Sequence, residues 1–167
     1  MFTELFRIEG PWPGQLAISA RPRGGDWLQE EILAWKRVGI DVIVSLLEPW
    51  EAADLNLANE ASDSEANGIQ FLSFPIVDRN IPTSNADVHG FLAKIDTELS
   101  QGKNVAVHCR QGIGRAGLIA AALLIERGLH PEEAIRRVSA SRRVPIPETD
   151  EQRVWLESYA ATSAHRR

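Results

Sequence analysis

The sequence predicts an α/β fold: a central, mostly parallel sheet flanked by helices. Three observations predict it. Short aliphatic and β-branched runs alternate with longer stretches of helical periodicity. No repeat or low-complexity linker interrupts that order, and 44% of the 167 residues are hydrophobic, which suits a core-forming domain. Parallel neighbours need long crossovers, which are usually helical. We expect one domain over residues 1–167, with a polar C-terminal tail from about residue 161.

The first third of the chain predicts a paired strand unit, a helix and a buried strand. Residues 5–20 hold two short apolar stretches around the turn-forming residues 10–14, which favours a hairpin or paired edge strands. Residues 26–38 carry apolar side chains at helical spacing, and Gly39 provides the stop. Residues 41–47 form a dense aliphatic run that predicts a strand buried on both faces.

The middle of the chain predicts two more helices and a strand between them. A helix is expected to open at Pro49 and to end at Asn67 and Gly68. Residues 69–77 predict a strand, in which Pro75 indicates an edge position or a strand end. Residues 84–100 place their apolar side chains on one helical face and predict the clearest amphipathic helix.

The last third predicts a short strand and three helices. Residues 104–108 are the strand, and residues 116–127 form a nearly continuous apolar segment that predicts a central, buried helix. Two further helices are expected to begin at Pro131 and Pro147, because proline suits the first turn and acidic residues follow each one.

Composition excludes several functional classes. The formal charge of −5 disfavours a general nucleic-acid binder, which needs excess basic charge to neutralise phosphates. The single cysteine, Cys109, excludes an intrachain disulfide and fits a reducing compartment. The longest apolar run, residues 117–125, is far shorter than the ~20 residues of a membrane-spanning helix. We therefore expect a cytoplasmic protein with no nucleic-acid or membrane partner.

Residues 109–115, which we call the anion loop, carry the pattern that indicates chemistry. They lie between a predicted buried strand and a predicted buried helix. Backbone N–H groups and the positive end of the helix dipole converge at such a junction and make an anion site. Gly112 and Gly114 allow a tight curl, and Arg115 suits a bidentate clamp for phosphate oxygens. Helix N-termini and nearby cations favour the thiolate, so Cys109 is a candidate nucleophile.

These residues resemble the signature of the cysteine-dependent protein tyrosine phosphatases. His108 precedes Cys109, and five residues separate that cysteine from Arg115. The glycines at 112 and 114 are similar to those of the dual-specificity branch. The resemblance implies a dual-specificity phosphatase-like α/β fold over nearly the whole chain. It also implies that His108 is a supporting residue that anchors the loop.

The resemblance further implies a hydrolase that forms a phosphocysteine intermediate on Cys109 and uses no metal and no cofactor. Its expected partners are a phosphorylated protein or peptide, with phosphate, vanadate or sulfate-like anions bound in the loop. The expected substrate-binding residues are Arg110, Gln111, Gly112, Ile113, Gly114 and Arg115.

A general acid is needed to protonate the leaving oxygen. The family usually takes it from an aspartate roughly 30 residues before the cysteine, and Asp78 stands in that place, just after a predicted strand. Asp87 is the alternative acid, although the first turn of a helix explains it as well. Gln152 could orient the attacking water, or it could be an exposed helix residue.

Ala116 departs from the family pattern, which has serine or threonine directly after the arginine. That hydroxyl stabilises the departing thiolate, and a hydrogen bond to a charged group is worth ~1.5–3 kcal/mol. Its absence is expected to slow breakdown of the intermediate by ~10- to 100-fold.

Three alternatives stay open from the sequence. Ala116 raises the odds of a phosphate-binding module or pseudophosphatase, whereas retention of Cys109, Arg115 and Asp78 lowers them. A phosphoinositide or other small phosphate is the alternative substrate class, although Gln111 and Ile113 give the loop no extra lysine. A sulfurtransferase or arsenate reductase also uses a cysteine in an anion loop, but the arsenate route usually needs partner cysteines.

Overall fold

The structure is a computed structural model that describes the backbone of residues 2–166 and the side chains of residues 2–164. It has five strands: β1 (Phe6–Ile8), β2 (Leu16–Ser19), β3 (Val42–Ser45), β4 (Gln70–Ser73) and β5 (Val105–His108). Its seven α-helices are α1 (Leu28–Arg37), α2 (Pro49–Asp54), α3 (Glu60–Ala66), α4 (Asn85–Ser100), α5 (Arg115–Glu126), α6 (Pro131–Arg142) and α7 (Asp150–Arg166). Among these described helices, none has the length and apolar character required to span a bilayer.

The predicted α/β class is confirmed by one five-stranded sheet of order β1-β2-β5-β3-β4. The pairings β2 with β5, β5 with β3 and β3 with β4 are parallel, and β1 pairs antiparallel with β2. Residues 5–20 therefore form the expected antiparallel pair. The strand that precedes Pro75 lies at the sheet edge, as predicted.

Helices cover both faces of the sheet, and the strand side chains divide between two cores. Along β3, Val42 and Val44 face one core, and Ile43 faces the other. This alternation follows from the two-residue period of a strand. Helices α4 to α7 contribute to the larger core, and α1 contributes to the smaller one. Eleven of the twelve residues of α5 are buried, which confirms the predicted central helix.

Several predicted boundaries differ from the structure. The strand expected over residues 69–77 spans only Gln70–Ser73. The helix expected from Pro49 to residue 66 is broken into α2 and α3, since Asn56 adopts a left-handed φ of 56° and turns the chain. Pro147 stands before α7 rather than inside it, since the helix begins at Asp150. The segment from residue 161, expected as a tail, continues α7 as far as residue 166.

Glu31, which is buried, and Asp96, which is partly buried, predict a loss of stability in acid. Burial alone would raise their pKa values, but hydrogen bonds from Thr3 and Arg23 to Glu31, and from Arg127 and Trp12 to Asp96, lower both pKa values below the ordinary 4.5 and 3.8. A lowered pKa contributes stability that is present above the unfolded-state value and is lost as the pH falls through the folded-state value.

The free energy of unfolding should therefore be constant near neutral pH and should decline below about pH 4.5. Urea unfolding between pH 7 and pH 3 measures it. Glu31→Gln should be less stable than the wild type at pH 7 and should lose less on acidification. Equal slopes for the two proteins would contradict this assignment.

Candidate active site

The anion loop curls around the end of β5 and leads directly into α5, with Cys109 at its start. The thiol is buried, with 3% of the residue exposed, and its Sγ accepts a hydrogen bond of 3.3 Å from the N–H of Gly112. The two parallel neighbours of β5 end at the same level, since Ser19 of β2 and Ser45 of β3 are both in register with His108. The loop thus occupies the carboxyl edge of the sheet, where α/β folds form their sites.

Gly112 is required by this curl. Its φ is +72°, and a Cβ at this position would lie 2.4 Å from the carbonyl carbon of Ser19. A side chain is therefore excluded both by the backbone conformation and by the close approach of β2. The sequence predicted a glycine for curvature, and the structure adds that the Gly112 N–H contacts the sulfur.

Arg115 is the first residue of α5 and is 1% exposed. Its Nη1 donates to Glu51 Oε2 at 2.8 Å and to the carbonyl of Ile76 at 2.9 Å, and its Nη2 donates to Glu51 Oε1 at 3.0 Å. Its buried Nε has no hydrogen-bond partner among the described residues. Burial lowers the pKa of this guanidinium, but Glu51, Cys109 and Asp78 outweigh burial and raise it. The side chain is thus a fixed, permanently charged donor beside the loop.

Glu51 is a site residue that the sequence analysis missed. It lies in the first turn of α2, which follows β3, and it is completely buried. Burial acts to raise the pKa of its carboxyl, but hydrogen bonds from Arg115 and the Glu48 N–H, with the charges of Arg115 and Arg110, lower it overall. The sequence shows that Glu51 is an acidic residue in the first turn of a predicted helix. That position, however, suggested only an interaction with the helix dipole.

Asp78 lies beside Arg115 and not on a remote surface. Its Oδ1 is 3.1 Å from Arg115 Nη2, and 45% of its side chain is exposed. It belongs to the acid loop, residues 78–82, and lines the same pocket as Cys109. The alternative acid, Asp87, lies in the first turn of α4, where its N–H donates to the capping Ser84, and it does not line this pocket.

Glu148, just before α7, and Gln152, in its first turn, hold the acid loop through two contacts. Arg79 Nη1 forms an ion pair of 2.8 Å with Glu148, and Gln152 Nε2 donates to the Asn80 carbonyl at 3.0 Å. Gln152 is buried, so the interpretation as an exposed helix residue is wrong. Its Oε1 accepts hydrogen bonds from two backbone N–H groups, those of residues 148 and 149. The contact to Asn80 makes it a support of the acid loop.

His108 is buried behind the loop and is paired with a carboxylate. Its Nδ1 lies 3.2 Å from the carbonyl of Cys109, and its Nε2 lies 2.6 Å from Glu60 Oε2. The expected anchoring role of His108 therefore has a structural basis, and Glu60 of α3 is its previously unrecognised partner.

These elements enclose a polar pocket of about 230 Å³. It is lined by Asp78, Arg79, Cys109, Arg110, Gln111, Gly114, Arg115 and Glu148. Of the predicted substrate-binding residues, Gly112 and Ile113 do not contribute to the wall. Within the described part of the chain, no group of three His, Cys, Asp or Glu side chains is arranged to hold a metal ion.

Two arginines besides Arg115 line the pocket, and each has an acid nearby. Arg79 pairs with Glu148, and Arg110 lies with its Nε 3.5 Å from Glu51 Oε1, although without hydrogen-bond geometry. The pocket can thus accept an anion through the loop and Arg115 without presenting a broad basic surface.

Comparisons with known proteins agree with this geometry. Residues 19–129 match a family model described as "Tc-R-P: Polymorphic toxin system, DSP-PTPase phosphatase". The chain is 35% identical over 97 residues to protein tyrosine phosphatase type IVA 2 of Mus musculus, a match covering 57% of this chain and 56% of the mouse protein. The chain spans about half the length of the curated relatives that it matches.

Two solved structures show the same fold. Kinase-associated phosphatase with its catalytic cysteine replaced by serine has a TM-score of 0.87 at 21% identity, over 97% of this chain and 96% of that one. PTPMT1 in complex with PI(5)P has a TM-score of 0.74 at 22% identity, over 90% of this chain and 93% of that one.

Proposed function

Since the chain belongs to the DSP-PTPase phosphatase family, within the cysteine-dependent tyrosine phosphatase superfamily, we propose that it hydrolyses phosphomonoesters of proteins through a phosphocysteine intermediate on Cys109. One observation carries the proposal. Cys109, with its buried sulfur, residues 110, 111 and 114 of the anion loop, and Arg115 line a single pocket at the N-terminus of α5. A tetrahedral dianion is the ligand that such a set of donors suits.

In the first step, the Cys109 thiolate attacks phosphorus and the bond from phosphorus to the ester oxygen breaks. Asp78 donates its proton to that oxygen, so the leaving group departs as a neutral alcohol or phenol. Loop N–H groups and Arg115 hold the equatorial oxygens while their charge redistributes. Arg115 can release its 3.1 Å contact with Asp78 in favour of the phosphate, since Glu51 still fixes the guanidinium.

In the second step, water attacks the phosphocysteine and the bond between sulfur and phosphorus breaks. Asp78, now a carboxylate, takes the proton of that water, and inorganic phosphate and the thiolate are the products. Gln152 acts on this step by holding the acid loop through Asn80.

Phosphotyrosine and phosphoserine or phosphothreonine residues are the proposed substrate class. A multiply phosphorylated headgroup needs several cations around the reacting phosphate that are free to bind it, but Arg79 is ion-paired with Glu148 and the anion loop contains no lysine. These two features favour a substrate with one phosphate over a phosphoinositide.

Phosphate release tests the proposal. The protein should hydrolyse p-nitrophenyl phosphate and phosphopeptides, vanadate should inhibit it, and Cys109→Ser should be inactive. Faster release from phosphoinositides than from phosphopeptides would overturn the substrate class. Binding of a phosphopeptide without release in a single turnover would instead favour the phosphate-binding module that Ala116 suggests.

Ala116 predicts that the phosphocysteine accumulates. This residue is completely buried in the first turn of α5 and supplies no hydroxyl to stabilise the departing thiolate. Rapid-quench kinetics should show a burst near one equivalent per site, followed by turnover that is slower by ~10- to 100-fold.

Ala116→Ser should abolish this burst, whereas Ala120→Ser should retain it. The control adds the same oxygen to a buried position one turn further along α5. A linear time course in the wild type, with unchanged turnover in Ala116→Ser, would show that the second step is not slowed by the missing hydroxyl.

A further inference from the structure

Arg142, the last residue of α6, contacts the outer side of the anion loop. Its Nη2 donates to the carbonyl of Gln111 at 3.0 Å, and its Nε donates to the carbonyl of Gly112 at 3.1 Å. The guanidinium plane is also held by an aromatic ring, since its central carbon lies 4.1 Å from the ring centroid of Phe6. Arg142 does not line the pocket. It touches the loop from behind and leaves the substrate side untouched.

One peptide unit connects this arginine to the nucleophile. The carbonyl of Gln111 and the N–H of Gly112 belong to the same planar trans peptide, so they point in opposite directions. The carbonyl accepts from Arg142, and the N–H donates to Cys109 Sγ at 3.3 Å. A donor at the carbonyl polarises the peptide and strengthens the hydrogen bond that its N–H makes.

We propose that Arg142 is a positioning residue that holds the peptide between Gln111 and Gly112 with its N–H directed at the Cys109 sulfur and so stabilises the thiolate. The inference rests on the proposed function for its catalytic consequence, but the contact with the sulfur is independent of any substrate. The second hydrogen bond, to the Gly112 carbonyl, fixes the next peptide in the same way.

The electrostatics agree with this role. Burial lowers the pKa of the Arg142 guanidinium, and the neighbouring Arg143 lowers it further, whereas Glu4 and Cys109 oppose that shift. Arg143 itself points elsewhere, since it forms an exposed ion pair of 2.6 Å with Glu4. Two adjacent arginines therefore differ in one respect that can be tested, namely contact with the loop.

The test measures the ionisation of Cys109 through its alkylation rate with iodoacetamide as a function of pH. Cys109 is the only cysteine in the chain, so the modified fraction reports on it alone. In Arg142→Gln the midpoint of the alkylation rate against pH should rise by about one unit. Such a rise corresponds to a tenfold smaller fraction of thiolate at pH values below the midpoint. Arg142→Lys keeps the charge and should shift less, and Arg143→Gln should match the wild type.

Each result decides the proposal. An unchanged midpoint in a folded Arg142→Gln, verified by circular dichroism and a thermal melt, would overturn it, as would an equal shift in Arg143→Gln. If Arg142→Gln does not fold, Arg142→Lys provides the comparison, and a midpoint identical to that of the wild type overturns the proposal. Alkylation requires no phosphate ester, so a shifted midpoint in a protein without phosphatase activity would support the positioning role and reject the proposed function.

Discussion

Glu51→Gln should destabilise the protein by about 3–5 kcal/mol, because it leaves the Arg115 guanidinium buried without its counter-charge. For a chain of this size that loss corresponds to a melting temperature lower by about 10 °C, since each kcal/mol shifts it by roughly 2–4 °C. Glutamine has nearly the same shape as glutamate, so the effect reports the lost charge rather than lost packing. A thermal melt at neutral pH measures it.

The same substitution should lower kcat/KM by about 100-fold, within the range found when one preorganised donor to a developing anion is lost. Without the two bonds from Glu51, at 2.8 and 3.0 Å, the arginine is free to leave the geometry that faces the loop. Asp54→Asn is the matched control, since it removes an exposed carboxylate from the same short helix. Equal melting temperatures for Glu51→Gln and Asp54→Asn would contradict the view that this buried pair stabilises the fold.

The sequence was sufficient for the parts of the site that lie close together in the chain. Cys109, Gly112 and Arg115 fall within seven residues between a strand and a helix, so local chemistry identifies them. Asp78 follows a strand that ends at the same edge of the sheet. Its place near the cysteine loop therefore follows from the parallel topology.

The missed residues have partners far away in sequence. Glu51 binds Arg115 across 64 residues, Glu60 binds His108 across 48, and Arg142 binds Gly112 across 30. From the sequence alone, a buried carboxylate in a short helix cannot be distinguished from an exposed acidic residue in the first turn. Tertiary packing alone distinguishes Arg142 from the adjacent Arg143.

The boundary errors have a similar origin. Pro49 indicated the correct helix start, but the helix ends early because Asn56 turns the chain and the Asn56 carbonyl accepts from the Gly25 N–H. That contact is tertiary. Propensity within residues 49–66 gives no reason to stop the helix at Asp54.

Asp78→Asn should lower kcat/KM, which reports the step that expels the leaving group, by about 10²- to 10⁴-fold for substrates with a poor leaving group, because general acid catalysis contributes an effect of this size. The loss should be larger for a phosphotyrosine peptide, whose phenol has a pKa near 10, than for p-nitrophenyl phosphate, whose leaving group departs more readily without a proton. Asparagine preserves the shape of the side chain beside Arg115, but it removes both the acidic proton and the charge that pairs with Arg115. Measuring kcat/KM for the two substrates at the same pH separates loss of the acid from a general disturbance of the pocket.

Asp87→Asn is the matched control, since Asp87 was the other candidate acid and lies on α4 outside the pocket. It should leave kcat/KM for both substrates within about twofold, because surface substitutions usually change energies by less than ~0.5 kcal/mol. If Asp78→Asn reduced kcat/KM by the same factor for both substrates, Asp78 would be acting through Arg115 or the acid loop rather than on the leaving oxygen. A larger loss of kcat/KM in Asp87→Asn than in Asp78→Asn would assign the role of general acid to Asp87 on α4. It would also require the acid loop to move away from Arg115 during the reaction.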